Sequence, residues 1–170
     1  MIIRQENPND ITQVRKLNEL AFGQPAEADL VDKLRKACPD ALSLVAEEKG
    51  RIVGHIIFTT VVIDNNGQLI QGMGLAPMAV LPENQKQGIG SQLVRKGLEI
   101  LGERGCPFVV VVGHPEYYPR FGFESASKCS IRSQWDGIPD EAFMIVIFDQ
   151  NAMKSAKGMA RYRDEFNEAM

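Results

Sequence analysis

The chain has 170 residues, the length of one domain, and is long enough to bury a hydrophobic core. Hydrophobic residues make up 44% of it and charged residues 24%, and these globular values exclude wholesale disorder. The net charge of −3 argues against nucleic acid as the main partner, because phosphate binding usually needs a basic face.

The chain begins with a short apolar segment, residues 1–4, which predicts an edge strand. The opening MIIRQENPND lacks the apolar core of a signal peptide, and no later run has the apolar length of a membrane span. Three cysteines form no CxxC pair, and only two histidines accompany them. We therefore predict a cytoplasmic protein with reduced thiols, no metal site and no membrane partner.

Two helices are predicted after this strand. Apolar residues at helical spacing follow Asn9 and Asp10, which are favourable residues for a helix start, and continue to residue 21. The segment FGQPAE interrupts the pattern, which resumes over residues 26–38 and ends before Pro39.

The middle of the chain predicts three antiparallel strands. LSLVAEE and RIVGHIIFTTVVI flank the turn Lys49-Gly50, and Asn66-Gly67 is a strong hairpin signal before the third strand. That third run, LIQGMGLAPMAVL, is unusual, because Gly72, Gly74 and Pro77 are all expected to weaken ordinary ladder pairing.

The second half predicts a helix, strands and a final helix. Residues 89–101 form an amphipathic helical stripe, and PFVVVV is a continuous apolar run typical of a central strand covered on both faces. GHPEYYPRFGF is expected to be a loop with one helical turn, followed by the strand candidates SKCSIR and AFMIVIF. The last dozen residues predict a helix. This order of elements indicates a mixed α/β fold with α+β-like layers.

The stretch ENQKQGIGSQLV, residues 83–94, places two glycines where a helix is about to begin. No Lys-Ser or Lys-Thr follows, as a Walker loop would require, and Leu93 stands where a dinucleotide fingerprint needs its third glycine. The first N–H groups of a helix have no internal partner, and glycine lets a ligand approach them. With Lys86 nearby, amides from Gln87 to Ser91 are suited to a pyrophosphate, although such a stretch is also common in simple turns.

The stretch from Gln85 to Gly90 resembles the Q/R-x-x-G-x-G/A motif of the GNAT superfamily of N-acetyltransferases, and MAVLPE and SQLV fit the strand, loop and helix around it. YYPRFGF resembles the Y-x-x-x-G-F signature of the same superfamily, with Tyr118 four places before Gly122. The fuller GHPEYYPRFGF is similar to one bacterial branch of predicted acetyltransferases. The resemblance covers the chain to about residue 150 by order of elements.

The resemblance implies a central, mostly antiparallel, splayed sheet of about seven strands flanked by helices. It also implies an N-acetyltransferase domain over residues 1–152, followed by a helical extension over residues 153–170. Acetyl-CoA would be the cosubstrate, with its pyrophosphate on the glycine loop and its pantetheine arm along the third strand. The implied cofactor-binding residues are Met78, Ala79, Val80, Gln85, Lys86, Gln87, Gly88, Ile89, Gly90 and Ser91.

The implied reaction is direct attack of a primary amine on the thioester through a tetrahedral intermediate. Backbone N–H groups near Ala79 and Val80 are the candidate oxyanion donors. Tyr118 is the candidate general acid that protonates the leaving thiolate. The adjacent Tyr117 could fill this role instead, and the structural alternative is that Tyr118 is simply a packed aromatic residue. Many relatives carry a glutamate ahead of the glycine loop, but GLAPMAV has no acid. His114, at the end of the VVVV strand, is a candidate base that acts directly or through water, or simply an anchor of the turn. Binding of the amine in its neutral form is the alternative to a base.

The acceptor is not defined by these residues. FGQPAE and SQWDGIPDE are the candidate walls of the acceptor pocket. Phe22 and Trp135 either line this pocket or close an edge of the core. Glu27 and Glu116 are carboxylates on the loop side that either meet a cationic acceptor or are solvated surface acids. His55 is interpreted as structural. A non-catalytic acyl-CoA-binding sensor is the alternative function, and a structural interaction domain is a third possible function. The resemblance leaves open whether the protein is a homodimer.

Overall fold

The structure, a computed structural model, describes residues 1–168. The three α-helices are α1 (Ile11–Phe22), α2 (Ala26–Ala37) and α3 (Ile89–Glu103) within that range. The strands found in it are β1 (Ile2–Gln5), β2 (Leu42–Glu48), β3 (Arg51–Asn65), β4 (Gln68–Val80), β5 (Phe108–Val112), β6 (Glu124–Ser125), β7 (Ile131–Ser133), β8 (Phe143–Ile147) and β9 (Gly158–Arg161).

The strands form a mixed but mostly antiparallel sheet, as predicted. The pairs β1–β2, β2–β3, β3–β9, β5–β8 and β6–β8 are antiparallel, whereas β4–β5 and β7–β9 are parallel. Residues 1–168 hold nine strands rather than about seven, because β6 and β7 are pieces of two and three residues. The chain groups into two compact units.

Within the described residues, the first unit contains residues 1–59, 76–97 and 164–168. The predicted helices α1 and α2 are confirmed, and α1 ends at Gly23, whose φ of +71° is the left-handed conformation common after a helix. The start of α3 packs closely on β3. A Cβ at Gly54 would meet Ile89 at 2.9 Å, and one at Gly97 would meet the Phe58 ring at 2.2 Å. These small residues let α3 approach β3 closely.

The second unit contains residues 60–75 and 98–163, with β5 as its buried strand. Phe108 to Val111 are at most 1% exposed, which confirms the predicted central strand. β5 pairs with β8 on one side, and β4 pairs with it from Met73 to Leu75 on the other. The expectation that Gly74 weakens pairing is wrong, because Gly74 pairs with Val110. Its missing side chain leaves room for Val61 instead, whose Cγ2 lies 2.6 Å from the position of a Cβ there.

Two other predicted elements differ from the structure. Around SKCSIR, residues 126–129 form a 3-10 turn closed by Ser130 at φ +59°, and only Ile131–Ser133 is a strand. In the extension predicted to be helical, residues 153–170, Gly158–Arg161 is strand β9 and Asp164–Glu168 is a 3-10 helix. β9 is extended because β3 and β7 both pair with it. The domain boundary at 152 stays a prediction, and residues 169–170 lie outside the described residues.

None of the helices in residues 1–168 has the length and apolar character needed to cross a membrane.

A polar cluster is buried in the first unit around His55, which is 0% exposed. Ser43 Oγ lies 2.8 Å from His55 Nε2 and donates to Glu6 over 2.7 Å, and Arg35 also donates to Glu6. Burial lowers the pKa of His55, outweighing the effect of Glu6. Burial alone would raise the pKa of Glu6, but hydrogen bonds involving His55, Arg35 and Ser43 hold it at about 2. The histidine is therefore neutral and the glutamate charged, which fits the structural interpretation of His55.

We expect the free energy of unfolding to fall as the pH drops below about 6.5. The unfolded chain protonates its histidines there, whereas burial holds the pKa of His55 lower in the folded protein, so acid favours unfolding by up to about 1.4 kcal/mol per pH unit. Further loss follows as the pH falls from 4.5 towards the Glu6 pKa of about 2. Urea denaturation across this range measures both effects.

The other histidine provides the matched control for this prediction. His55→Gln should flatten the stability profile just below about pH 6.5, whereas replacing the exposed His114 by glutamine should keep the profile. Equal slopes in the two variants would contradict a neutral, buried His55.

Candidate active site

The glycine loop joins the end of β4 to the start of α3. After Val80, the Leu81 N–H donates to the Val53 carbonyl of β3 over 2.9 Å. A 3-10 turn, Pro82–Asn84, follows, in which Asn84 N–H donates to Leu81 O over 2.8 Å. The loop therefore starts from a strand end and a turn that are both held by backbone hydrogen bonds.

Two residues of the loop have left-handed backbone conformations, Lys86 at φ +64° and Gly88 at φ +85°. A Cβ built on Gly88 meets no atom within 4 Å, so this glycine is required by its conformation and faces open space. Turns of this kind bring successive backbone N–H groups to one side, and the start of α3 adds the positive end of the helix dipole. The loop can therefore hold an anion.

The side chains of the loop are mostly occupied elsewhere. Gln85 Nε2 donates to Val80 O over 3.0 Å, and Gln87 Nε2 donates to Glu83 O over 3.4 Å. Ile89 is 4% exposed, so only its backbone is available to a ligand. Lys86 is exposed. Binding at this loop would accordingly depend on main-chain donors, with Lys86 adding charge.

The end of β4 precedes this loop in the same unit. The register recorded between β4 and β5 covers Met73 to Leu75, and Pro77, which lacks an N–H, follows after a cis peptide bond with Ala76. Beyond it, Met78 and Val80 are half-buried and Ala79 is 4% exposed. This part of the strand has the extended backbone that an added, strand-like ligand would need.

Tyr118 lies in the second unit, at the start of the 3-10 helix Tyr118–Phe121. It is 8% exposed and packs edge-on against Tyr117 and Phe123, with ring centroids 5.0 and 5.7 Å away. A Cβ at Gly113 would lie 2.3 Å from the Tyr118 ring, so that glycine makes room for it. Burial, with a smaller effect of Tyr117, raises the pKa of Tyr118 to about 12. The phenol is therefore protonated at neutral pH and can donate.

His114 contributes its backbone to this arrangement. Its carbonyl accepts from the N–H groups of Tyr117 at 3.0 Å and Tyr118 at 3.3 Å, while its side chain is exposed. Arg120 lies over the Tyr117 ring, 4.6 Å from the centroid. His114 thus anchors the turn, and its role as a base stays a prediction.

The predicted residues fall into two sets. The ten predicted cofactor-binding residues, Met78 to Ser91, are all in the first unit, and Tyr118 and His114 are both in the second. Of the acceptor candidates, Phe22 is 40% exposed and Trp135 packs on Tyr162 with ring centroids 4.7 Å apart. Glu27 is half-buried and Glu116 is exposed.

Tyr162 is the residue near this site that sequence reasoning missed. It is 7% exposed, follows β9, and packs against Gly74 as well as Trp135. Burial raises its pKa, and the nearby Tyr118 adds to the effect. A strand prediction for residues 158–161 would have placed it, but the sequence there was interpreted as helical.

A sequence model of the acetyltransferase (GNAT) domain matches residues 2–126. The chain belongs to the GNAT acetyltransferase family. This GNAT chain is an acyltransferase, as the resemblance implied, and its sheet is the mixed, mostly antiparallel one of that family.

Close relatives support the assignment over nearly the whole GNAT chain. It is 37% identical over 168 residues to YhbS of Escherichia coli K12, described as an uncharacterized N-acetyltransferase, a match that covers 98% of this chain and 99% of that one. The crystal structure of E. coli YhbS in complex with CoA is 36% identical, with a TM-score of 0.89 over 98% of this chain and 91% of that one. A GNAT acetyltransferase from Brucella melitensis in complex with acetyl-CoA is 35% identical, with a TM-score of 0.78 over 97% of each chain.

Proposed function

We propose that this chain is an N-acetyltransferase that moves the acetyl group of acetyl-CoA to a primary amine. The observation that carries the proposal is the glycine loop, where Gly88 at φ +85° borders open space at the start of α3. Main-chain donors at such a place fit a diphosphate. The relatives crystallised with CoA and acetyl-CoA support the same cosubstrate.

The strand before the loop fits the remainder of the cosubstrate. Met78 to Val80 would bond the pantetheine arm through main-chain groups, as an added strand does. The backbone N–H groups of Ala79 and Val80 would stabilise the oxyanion of the tetrahedral intermediate. With these contacts, the reacting carbonyl would lie beside the strand end.

Proton transfer completes the proposed reaction. An amine such as that of lysine has a pKa of about 10.4 and must lose its proton before it attacks. β4 has no carboxylate in GLAPMAV, so His114 or solvent would take that proton. The neutral amine then attacks the thioester carbonyl carbon, which forms the C–N bond and the oxyanion. As the oxyanion collapses, the C–S bond breaks and Tyr118 would donate its phenol proton to the departing thiolate. The amide nitrogen loses its second proton to solvent, and the Tyr118 phenolate takes one proton back. The pKa of Tyr118, about 12, keeps the phenol protonated for that step.

The lack of a carboxylate on β4 favours one alternative function, a non-catalytic sensor that binds acyl-CoA without turnover. The three cysteines are free thiols, which agrees with the proposed cytoplasmic location. The amine acceptor and a homodimer stay predictions.

We expect at least one primary amine in a chemically diverse panel to accelerate thiol release from acetyl-CoA well above the rate in buffer. The panel should include small amines, polyamines, aminoglycosides, peptide N-termini and lysine side chains, with free thiol followed by a colorimetric reagent. A matched reaction without protein provides the control. Tight binding of coenzyme A in calorimetry together with no accelerated release would favour the sensor. No binding at all would contradict both functions.

A further inference from the structure

The side chain of Gln85 is bonded to the strand that precedes the glycine loop. Its Nε2 donates to the carbonyl oxygen of Val80 over 3.0 Å, a normal length for this bond. Val80 is the last residue of β4, and Gln85 is the first residue after the 3-10 turn Pro82–Asn84. The bond therefore closes a short ring between the end of the strand and the start of the loop.

The peptide unit between Val80 and Leu81 is held at both ends by this arrangement. Its carbonyl accepts from Gln85, and its N–H donates to Val53 O over 2.9 Å. Inside the ring, Asn84 N–H donates to Leu81 O over 2.8 Å. The orientation of the strand end is thus set by β3 on one side and by the Gln85 side chain on the other.

The residues after Gln85 depend on this orientation. The peptide bond is planar, so the direction of each following amide is determined by the orientation of the preceding peptide and a few φ and ψ angles. Lys86 at φ +64° and Gly88 at φ +85° then turn the chain into α3. Gln85 is exposed, so its side chain is positioned by the hydrogen bond to Val80 O rather than by packing.

We propose that Gln85 is a positioning residue that braces the glycine loop against the end of β4 and so directs the amides that hold the diphosphate. This inference rests on the proposed function. The family resemblance placed Gln85 only among the cofactor-binding residues, whereas here its side chain acts on the protein framework. Because Met78 to Val80 would hold the pantetheine arm, the brace also links the two parts of the coenzyme A site.

The test compares Gln85→Met with Gln92→Met. Methionine keeps the length of glutamine but cannot donate to Val80 O, and Gln92 is an exposed glutamine on α3 outside the loop. Residue-resolved amide hydrogen exchange of Leu81 and Asn84, without ligand, reports the brace itself. Calorimetry with coenzyme A reports its consequence for binding.

In Gln85→Met, we expect both amides to exchange about threefold to tenfold faster and the Kd for coenzyme A to rise about fivefold to tenfold, as for loss of one hydrogen bond. Gln92→Met should change neither. Weaker binding with unchanged exchange would overturn the proposal, because Gln85 would then contact the cofactor directly. Faster exchange with unchanged Kd would also overturn it. If the unaltered protein does not bind coenzyme A, the proposed function fails, whereas the exchange measurement still decides whether the brace exists.

Discussion

Replacing Gly88 by leucine is expected to abolish coenzyme A binding in a protein that still folds. A Cβ at this position meets no protein atom within 4 Å, so the leucine side chain would extend into the space proposed for the diphosphate. Losing two charge-assisted hydrogen bonds from loop amides, about 3 kcal/mol or more together, corresponds to at least about a hundredfold in Kd. Calorimetry with coenzyme A measures the loss.

Gly105→Leu is the matched control for backbone strain. Gly105 has a φ of +81° and no atom within 4 Å of its Cβ position, but it lies beyond the other end of α3. A leucine in the left-handed region costs about 1 to 2 kcal/mol at either glycine. Thermal unfolding should therefore show similar losses of stability in both variants, with normal affinity only in Gly105→Leu. A folded Gly88→Leu protein with unchanged affinity for coenzyme A would contradict the proposed diphosphate site at the glycine loop.

Tyr118→Phe is expected to lower kcat by about a hundredfold or more while changing the affinity for coenzyme A little. The ring would keep its packing against Tyr117, Phe123 and the space left by Gly113, so only the proton donor is lost. The measurement uses an amine identified by the panel, with calorimetry as the control for binding. Equal kcat values would remove Tyr118 as the general acid.

The pH profile gives this prediction a second readout. Because the pKa of Tyr118 is raised to about 12, its phenol stays protonated and causes no loss of rate between about pH 7 and 9.5. The rate in the unaltered protein should instead rise over this range as more of the amine becomes neutral. If Tyr117→Phe slows turnover and Tyr118→Phe does not, the register alternative is correct.

Local patterns were sufficient to predict most of the elements. The helical spacing of apolar residues placed α1 and α2, and the continuous run at residues 108–112 placed β5 as a buried strand. These patterns work because the side chains that must be buried repeat with the period of the element itself. The nature of the C-terminal segment could not be found this way. Strand β9 pairs with Val62 to Asp64, residues far away along the chain.

The candidate site likewise has features that the sequence predicted and features that only the structure revealed. Its motif residues were predicted from the sequence, because the glycine motif before a helix is a local pattern, and Gly88 has the left-handed conformation that favours glycine. The motif indicated neither the bond from Gln85 to Val80 nor the packing of Tyr162 on Trp135 and Gly74. Each depends on where a side chain lies after folding.

By itself the sequence determined the family, the order of most elements and the position of the glycine loop, since all three depend on residue types at short, regular spacing. Only the tertiary structure decided that the C-terminal segment is a strand, that Gly74 is a paired residue and that Gln85 bonds the strand behind it. The physical reason is that hydrogen-bond partners and packing neighbours are set by which distant segments meet, and spacing along the chain does not specify that.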